Sequence, residues 1–169
     1  MTTPYQPITL LPPERAAHEF DFWIGTWNIL QRVLQPDGNW REFDARTGVT
    51  TDLDGYILVE HWEGITLLPW ENMTEPEPRK AISIRSFDPV AEVWNIYWLD
   101  TRNRHFIPPS TGKFQDGRGE FFSAPDPQDP NARGRIRFFN ITETSVTWDF
   151  SIFESGNWKT LWIMEMTRA

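Results

Sequence analysis

The chain has 169 residues, no cysteine and a net charge of −8, from 16 Lys and Arg against 24 Asp and Glu. Missing thiols exclude disulfides, thiolate metal sites and cysteine nucleophiles. An acidic balance disfavours tracking of a phosphate backbone, so no nucleic-acid partner is expected. No apolar run approaches the roughly 20 residues of a membrane span, and Met1 to Pro13 lacks the basic end and apolar stretch of a signal peptide. The expectation is a soluble cytoplasmic protein with no membrane partner.

Tryptophan is abundant, with 10 residues, beside 12 Phe, 14 Pro and 10 Gly. Aromatic residues favour strands, and Pro and Gly favour turns, so the composition points to an all-β fold with an aromatic interior. Residues 1–12 read as an extended arm, and 13–169 as a single domain. Pro13 to Phe20 carries Pro at the first helical position and acids nearby, which predicts a short helix.

From Phe22 the pattern has period two. Trp23, Gly25, Trp27, Ile29, Gln31 and Val33 share one face of a first strand reaching Leu34. Pro36-Asp37-Gly38-Asn39 turns the chain into a second strand, Trp40 to Leu53. Tyr56 to Glu63 is the third. A long segment, Thr66 to Pro78, breaks the rhythm; it reads either as a lid carrying Leu67, Leu68 and Trp70 or as a surface loop pinned by a few apolar side chains or packed on a second subunit. Arg79 to Phe87 and Val93 to Leu99 follow, and Arg104 to Ile107 begins a sixth strand. Asp116-Gly117 marks a hairpin into Arg118 to Phe122. Residues 124–134 form a polar loop. Arg135 to Ile141, Ser145 to Phe153 and Trp158 to Arg168 close the chain.

About ten strands joined mostly by short hairpins predict an up-and-down antiparallel barrel, with a β-sandwich as the competing arrangement. Ten strands leave room inside for one small ligand.

Gly25-Thr26-Trp27, behind a short helix, resembles the Gly-x-Trp of lipocalins and other calycins. Arg168 matches their closing Arg, which packs over that Trp. Residues 18–168 also resemble a family of uncharacterised bacterial lipocalin-like proteins. The marks are Phe22-x-x-Gly25-x-Trp27, Glu60-x-Trp62, Phe87-Asp88-Pro89, Trp94-x-x-x-Trp98 with Asp100, and Gly112 through Asp116-Gly117. The resemblance implies a calycin barrel and no settled chemistry. Nitrobindin-like haem proteins share such a barrel and ligate iron through a His near the C-terminus. This sequence has no His after His105, and no cofactor is expected.

If Trp27 points inward, parity assigns the rest of the wall. Leu58, Glu60 and Trp62 face the interior from the third strand, and Ile82 and Ile84 from the fourth. Trp94, Ile96 and Trp98 follow on the fifth, and Ile136 and Phe138 on the eighth. The last two strands add Val146, Trp148, Phe150 and Ile152, then Thr160, Trp162, Met164 and Met166. Arg85, Asn95, Arg137, Asp149 and Glu165 face solvent. Phe87, Tyr97, Phe139 and Ile163 fall on the outer face, as ordinary surface or as a homodimer contact.

Two functions compete. In the first, Trp62, Trp94, Trp98, Trp148, Trp162, Phe138, Phe150 and Met164 hold an apolar, aromatic or isoprenoid-like ligand. Gln31 and Thr160 orient it and Trp70 covers it. In the second, Glu60 is the general acid or base of a metal-independent isomerase, cyclase or hydratase. Against both stands a barrel solidly filled by its indoles. A carboxylate among apolar neighbours needs a partner; Thr160, Gln31 or a mouth-side Arg would hold it as a structural acid, and Gln31, Thr160 and Ser86 are the polar groups that parity offers. His18, His61 and His105 are scattered, and no metal is expected.

Overall fold

The computed structural model describes residues 8, 10, 13–126, 128, 129 and 131–169. Most of the arm expected over 1–12 lies outside them. Ten strands run in chain order: β1 Gly25–Leu34, β2 Trp40–Asp52, β3 Ile57–Thr66, β4 Glu77–Asp88, β5 Val93–Asp100, β6 Ser110–Gln115, β7 Arg118–Phe122, β8 Gly134–Phe139, β9 Ser145–Glu154 and β10 Asn157–Arg168. Each pairs antiparallel with its sequence neighbours, and β1 pairs with β10, so the sheet closes into a barrel. Closure leaves no free edge. The helix before β1 is a pair of 3-10 turns, Arg15–His18 and Asp21–Trp23.

The closing seam has a specific lock. The Arg168 guanidinium lies 4.2 Å from the Trp27 ring centroid. Its Nη1 and Nη2 donate to the carbonyls of Ile24 and Phe22. Gly25 adopts a φ of +122°, and a Cβ there would meet Arg168 Nη1 at 2.5 Å. The backbone conformation favours glycine here, and a larger residue would also displace the Arg168 guanidinium from its seat.

Two expectations about strands are corrected. The sixth strand is Ser110–Gln115; Arg104 to Ile107 lies in the irregular connection that follows the 101–103 turn. Asp100 is the cause. Its carboxylate accepts the backbone N–H of Arg102 and Asn103, and its carbonyl accepts that of Arg104, whose φ is +59°. Pro108 and Pro109 then supply no N–H, so pairing resumes at Ser110.

The second correction is the phase of β4. Leu58 pairs with Arg85, Glu60 with Ser83 and Trp62 with Ala81. Directly opposed residues share a face, so Ala81, Ser83, Arg85 and Phe87 point inward, and Ile82 and Ile84 point outward. The physical reason is volume. Small Ala81 and Ser83 stand opposite Trp62 and Trp98, where isoleucines would overfill the interior. Asp149, expected in solvent, is buried on the outer face beneath its ion pair with Arg137.

One end of the barrel is a solid aromatic plug. Phe20, delivered by the first 3-10 turns, packs its ring 5.0 Å from Trp94, 4.8 Å from Phe114 and 5.2 Å from Phe138, all edge-on. Trp23 stacks on Trp27 at 5.3 Å. Such pairs add to the burial of large apolar surface, so this end carries much of the fold's stability.

Candidate functional site

Above the plug the barrel is hollow. A cavity of about 260 Å³ opens toward the end formed by the loops after β3, β5 and β7. Its wall includes Trp62, Trp98, Trp148, Trp162, Phe138, Phe150 and Met164 of the expected set, together with Glu60. Trp162 is the centre of the indole group. Its ring lies 5.3 Å from Trp148, 6.5 Å from Trp62 and 6.3 Å from Trp70.

Three expected residues stand elsewhere. Trp94 belongs to the plug, and its indole N–H donates to Glu19 at 3.0 Å. Gln31 is fully buried behind the wall. It donates to the Ile65 carbonyl and accepts the Trp162 indole N–H at 3.0 Å, so it positions a cavity ring. Thr160 is corrected outright. A bulge between Thr160 and Trp162 inserts Leu161, and Thr160 stands opposite Ser151 on the outer face, hydroxyl to hydroxyl at 3.1 Å. One extra residue inverts the parity of everything beyond it.

Glu60 is buried but not alone. Arg85 donates to its Oε2 at 2.7 Å and Thr47 to its Oε1 at 2.9 Å. Neither partner was among the polar neighbours expected from parity, because β4 was read out of phase and Thr47 sits on β2. Arg85 corrects a second expectation, since it is 4% exposed and not in solvent. Its guanidinium lies 5.2 Å from the Phe20 ring and 5.7 Å from those of Trp23 and Phe138. It therefore sits at the boundary between plug and cavity, held by cation–π contacts and an ion pair.

The mouth is built on a buried charge cluster. Residues 67–76 connect β3 and β4 and include a 3-10 turn, Pro69–Glu71. Leu67, Leu68 and Met73 are buried, which anchors the segment. Trp70 stays 38% exposed while packing 6.0 Å from Phe150, and it borders the cavity. Glu71 binds Arg79 at 2.5 Å, and Arg79 binds Asp100 at 3.2 Å. Burial works to raise the Asp100 pKa. The Asn103 amide, the Trp98 indole, Arg79 and the Arg102 amide outweigh it, and the carboxyl is held below its ordinary value. Through Asp100 the same cluster orients Trp98, whose Nε1 donates to it at 2.9 Å.

A second concavity lies on the outer surface beside Gly48, His61 and Ile82. It is larger, about 930 Å³, but it is an open trough on the strands' outer face and lacks the convergent aromatic wall. His61 lies there, across the sheet from Glu60. Among the described residues no three His, Asp or Glu side chains are placed to hold a metal ion, and no helix is long and apolar enough to cross a membrane.

Fold and interior define a closed antiparallel barrel, plugged at one end and hollow at the other. Among solved structures the chain is similar to an S-type phycobiliprotein lyase from Guillardia theta, at 16% identity and a TM-score of 0.57. That alignment covers 93% of this chain and 98% of that one. A protein of unknown function from the DUF3598 family of Nostoc punctiforme aligns over 93% of this chain and 100% of its own, at 8% identity and a TM-score of 0.30. No family model and no curated protein matches the chain. The likeness to the lyase concerns the fold alone.

Proposed function

We propose that this protein binds a small apolar, planar molecule in the tryptophan-walled half of its barrel. The observation that carries the reading is the cavity itself, about 260 Å³ bounded by Trp62, Trp98, Trp148 and Trp162 beneath the half-exposed Trp70. Flat π faces converging on enclosed space suit an aromatic or conjugated ligand. The barrel-fold likeness to a phycobiliprotein lyase is consistent with small-molecule handling. The Arg168–Trp27 lock supports placing the barrel with the lipocalin-like proteins. Glu60 is engaged on both oxygens, which favours a binding role over proton transfer. The Trp70 segment acts as a pinned cover in this reading.

The test is a titration of intrinsic tryptophan fluorescence with planar aromatic compounds. Saturable one-to-one quenching is expected. Trp148→Ala weakens affinity about tenfold, whereas Trp94→Phe, in the plug, leaves it unchanged. Equal losses in both variants refute the reading. Trp70→Ala raises the ligand off-rate; an unaltered rate refutes the cover.

A further inference from the structure

The boundary between plug and cavity carries a set of polar atoms that the fold does not satisfy. Arg85 Nε and Nη1, Ser83 Oγ, Trp62 Nε1 and Trp23 Nε1 are buried without a hydrogen-bond partner among the described residues. All four side chains belong to the wall of the same cavity. Folded proteins leave few such groups, and each one costs free energy, so a cluster on one wall calls for an explanation. Volume explains a small residue at 83 and the Glu60 ion pair explains a cation at 85, but neither accounts for the donors left over.

The chemistry of the set is one-sided. Guanidinium and indole nitrogens can only donate, and the serine hydroxyl can donate as well. Their complement is a hydrogen-bond acceptor. Charge narrows it further. Arg85 already has its counter-ion in Glu60 at 2.7 Å, so the buried pair is neutral. A carboxylate added beside it would leave a net negative charge in an apolar cavity, which is costly. An uncharged carbonyl accepts the same donors and adds no charge. Thr47 holds the other Glu60 oxygen, which keeps the carboxylate turned to Arg85.

We infer that the cavity ligand presents an uncharged carbonyl, of a ketone, quinone or lactam on a planar scaffold, to Arg85, Ser83 and the Trp62 indole. Arg85 and Ser83 are then specificity-determining residues, and the indole walls grip the scaffold. The donor atoms lie beneath the surface of the wall, so seating the carbonyl requires the neighbouring ring edges to move. This inference rests on the small-molecule reading above and names the ligand class it selects.

Three matched probes test it by tryptophan quenching at pH 7: 2-acetylnaphthalene, 2-ethylnaphthalene and 2-naphthoate. The wild type is expected to bind the ketone about tenfold more tightly than the ethyl compound, the effect of one to two well-made hydrogen bonds, and more tightly than the carboxylate. Ser83→Ala reduces the ketone preference about threefold. The neutral replacement of the pair, Glu60→Gln with Arg85→Met, brings it near unity while the ethyl compound still binds. Ser83→Ala is a minimal change in volume, so it tests the inference even where the double variant does not fold. Ketone and ethyl compound binding equally to the wild type overturns the inference and leaves the cavity reading standing. A carboxylate preference overturns the uncharged assignment. Absence of quenching by all three overturns both.

Discussion

The two ends of the barrel use the same residue types to opposite ends. In the plug, Phe20, Trp23, Trp27, Phe114 and Phe121 interlock through edge-on and stacked contacts around a chain segment that enters from outside the sheet. Toward the mouth, Trp62, Trp98, Trp148 and Trp162 also touch one another, but their group borders open space. The difference comes from what each end is given to fill it. The 3-10 turns before β1 insert a phenylalanine into the closed end, while the mouth receives only the margin of the 67–76 segment. Aromatic content alone therefore says nothing about whether an interior is solid; the reading of indoles as pure filler holds for one half and fails for the other.

Stability losses are expected to fall along the barrel axis from plug to mouth as losses in ligand affinity rise. Phe20→Ala, in the plug, should cost about 4 kcal/mol in urea unfolding, the range for a large buried ring with a cavity left behind. At the boundary, Arg85→Met should cost about 3 kcal/mol, because it strands the buried Glu60 carboxylate. Adding Glu60→Gln should recover much of that loss, a non-additivity that a double-mutant cycle measures directly.

Nearer the mouth, Asp100→Asn should cost about 2 kcal/mol at pH 7 by leaving buried donors around Arg79 poorly paired. Its pH dependence has a defined sign. The folded Asp100 carboxyl titrates below its ordinary value. Its contribution is therefore complete above the unfolded value of about 3.9 and fades as pH falls through the folded one. Urea midpoints of wild type and Asp100→Asn should diverge at pH 7 and approach each other as pH falls through the lowered folded-state value. The smallest stability change, about 1 kcal/mol, is expected for Trp148→Ala, a half-buried wall residue beside existing space. A loss at Trp148 as large as that at Phe20 would mean that the mouth is packed like the plug.

The alternation from Trp23 to Val33, the hairpin turns at Asp37-Gly38 and Asp116-Gly117, and the order of ten mostly short-linked strands were legible in the sequence. Period-two patterning and turn chemistry are local properties, and they determined an antiparallel barrel with most of its tryptophan wall. The partner of Glu60 was not legible. Reading Ile82 and Ile84 as the inner face of β4 follows apolar content, but strand phase is decided across the sheet, where Trp62 and Trp98 leave room only for Ala81 and Ser83. The bulge at Leu161 likewise turned Thr160 outward with no local sign. Register and side-chain volume are relations between distant strands, and only the closed barrel could settle that an arginine, buried on three aromatic rings, stands beside the cavity's acid.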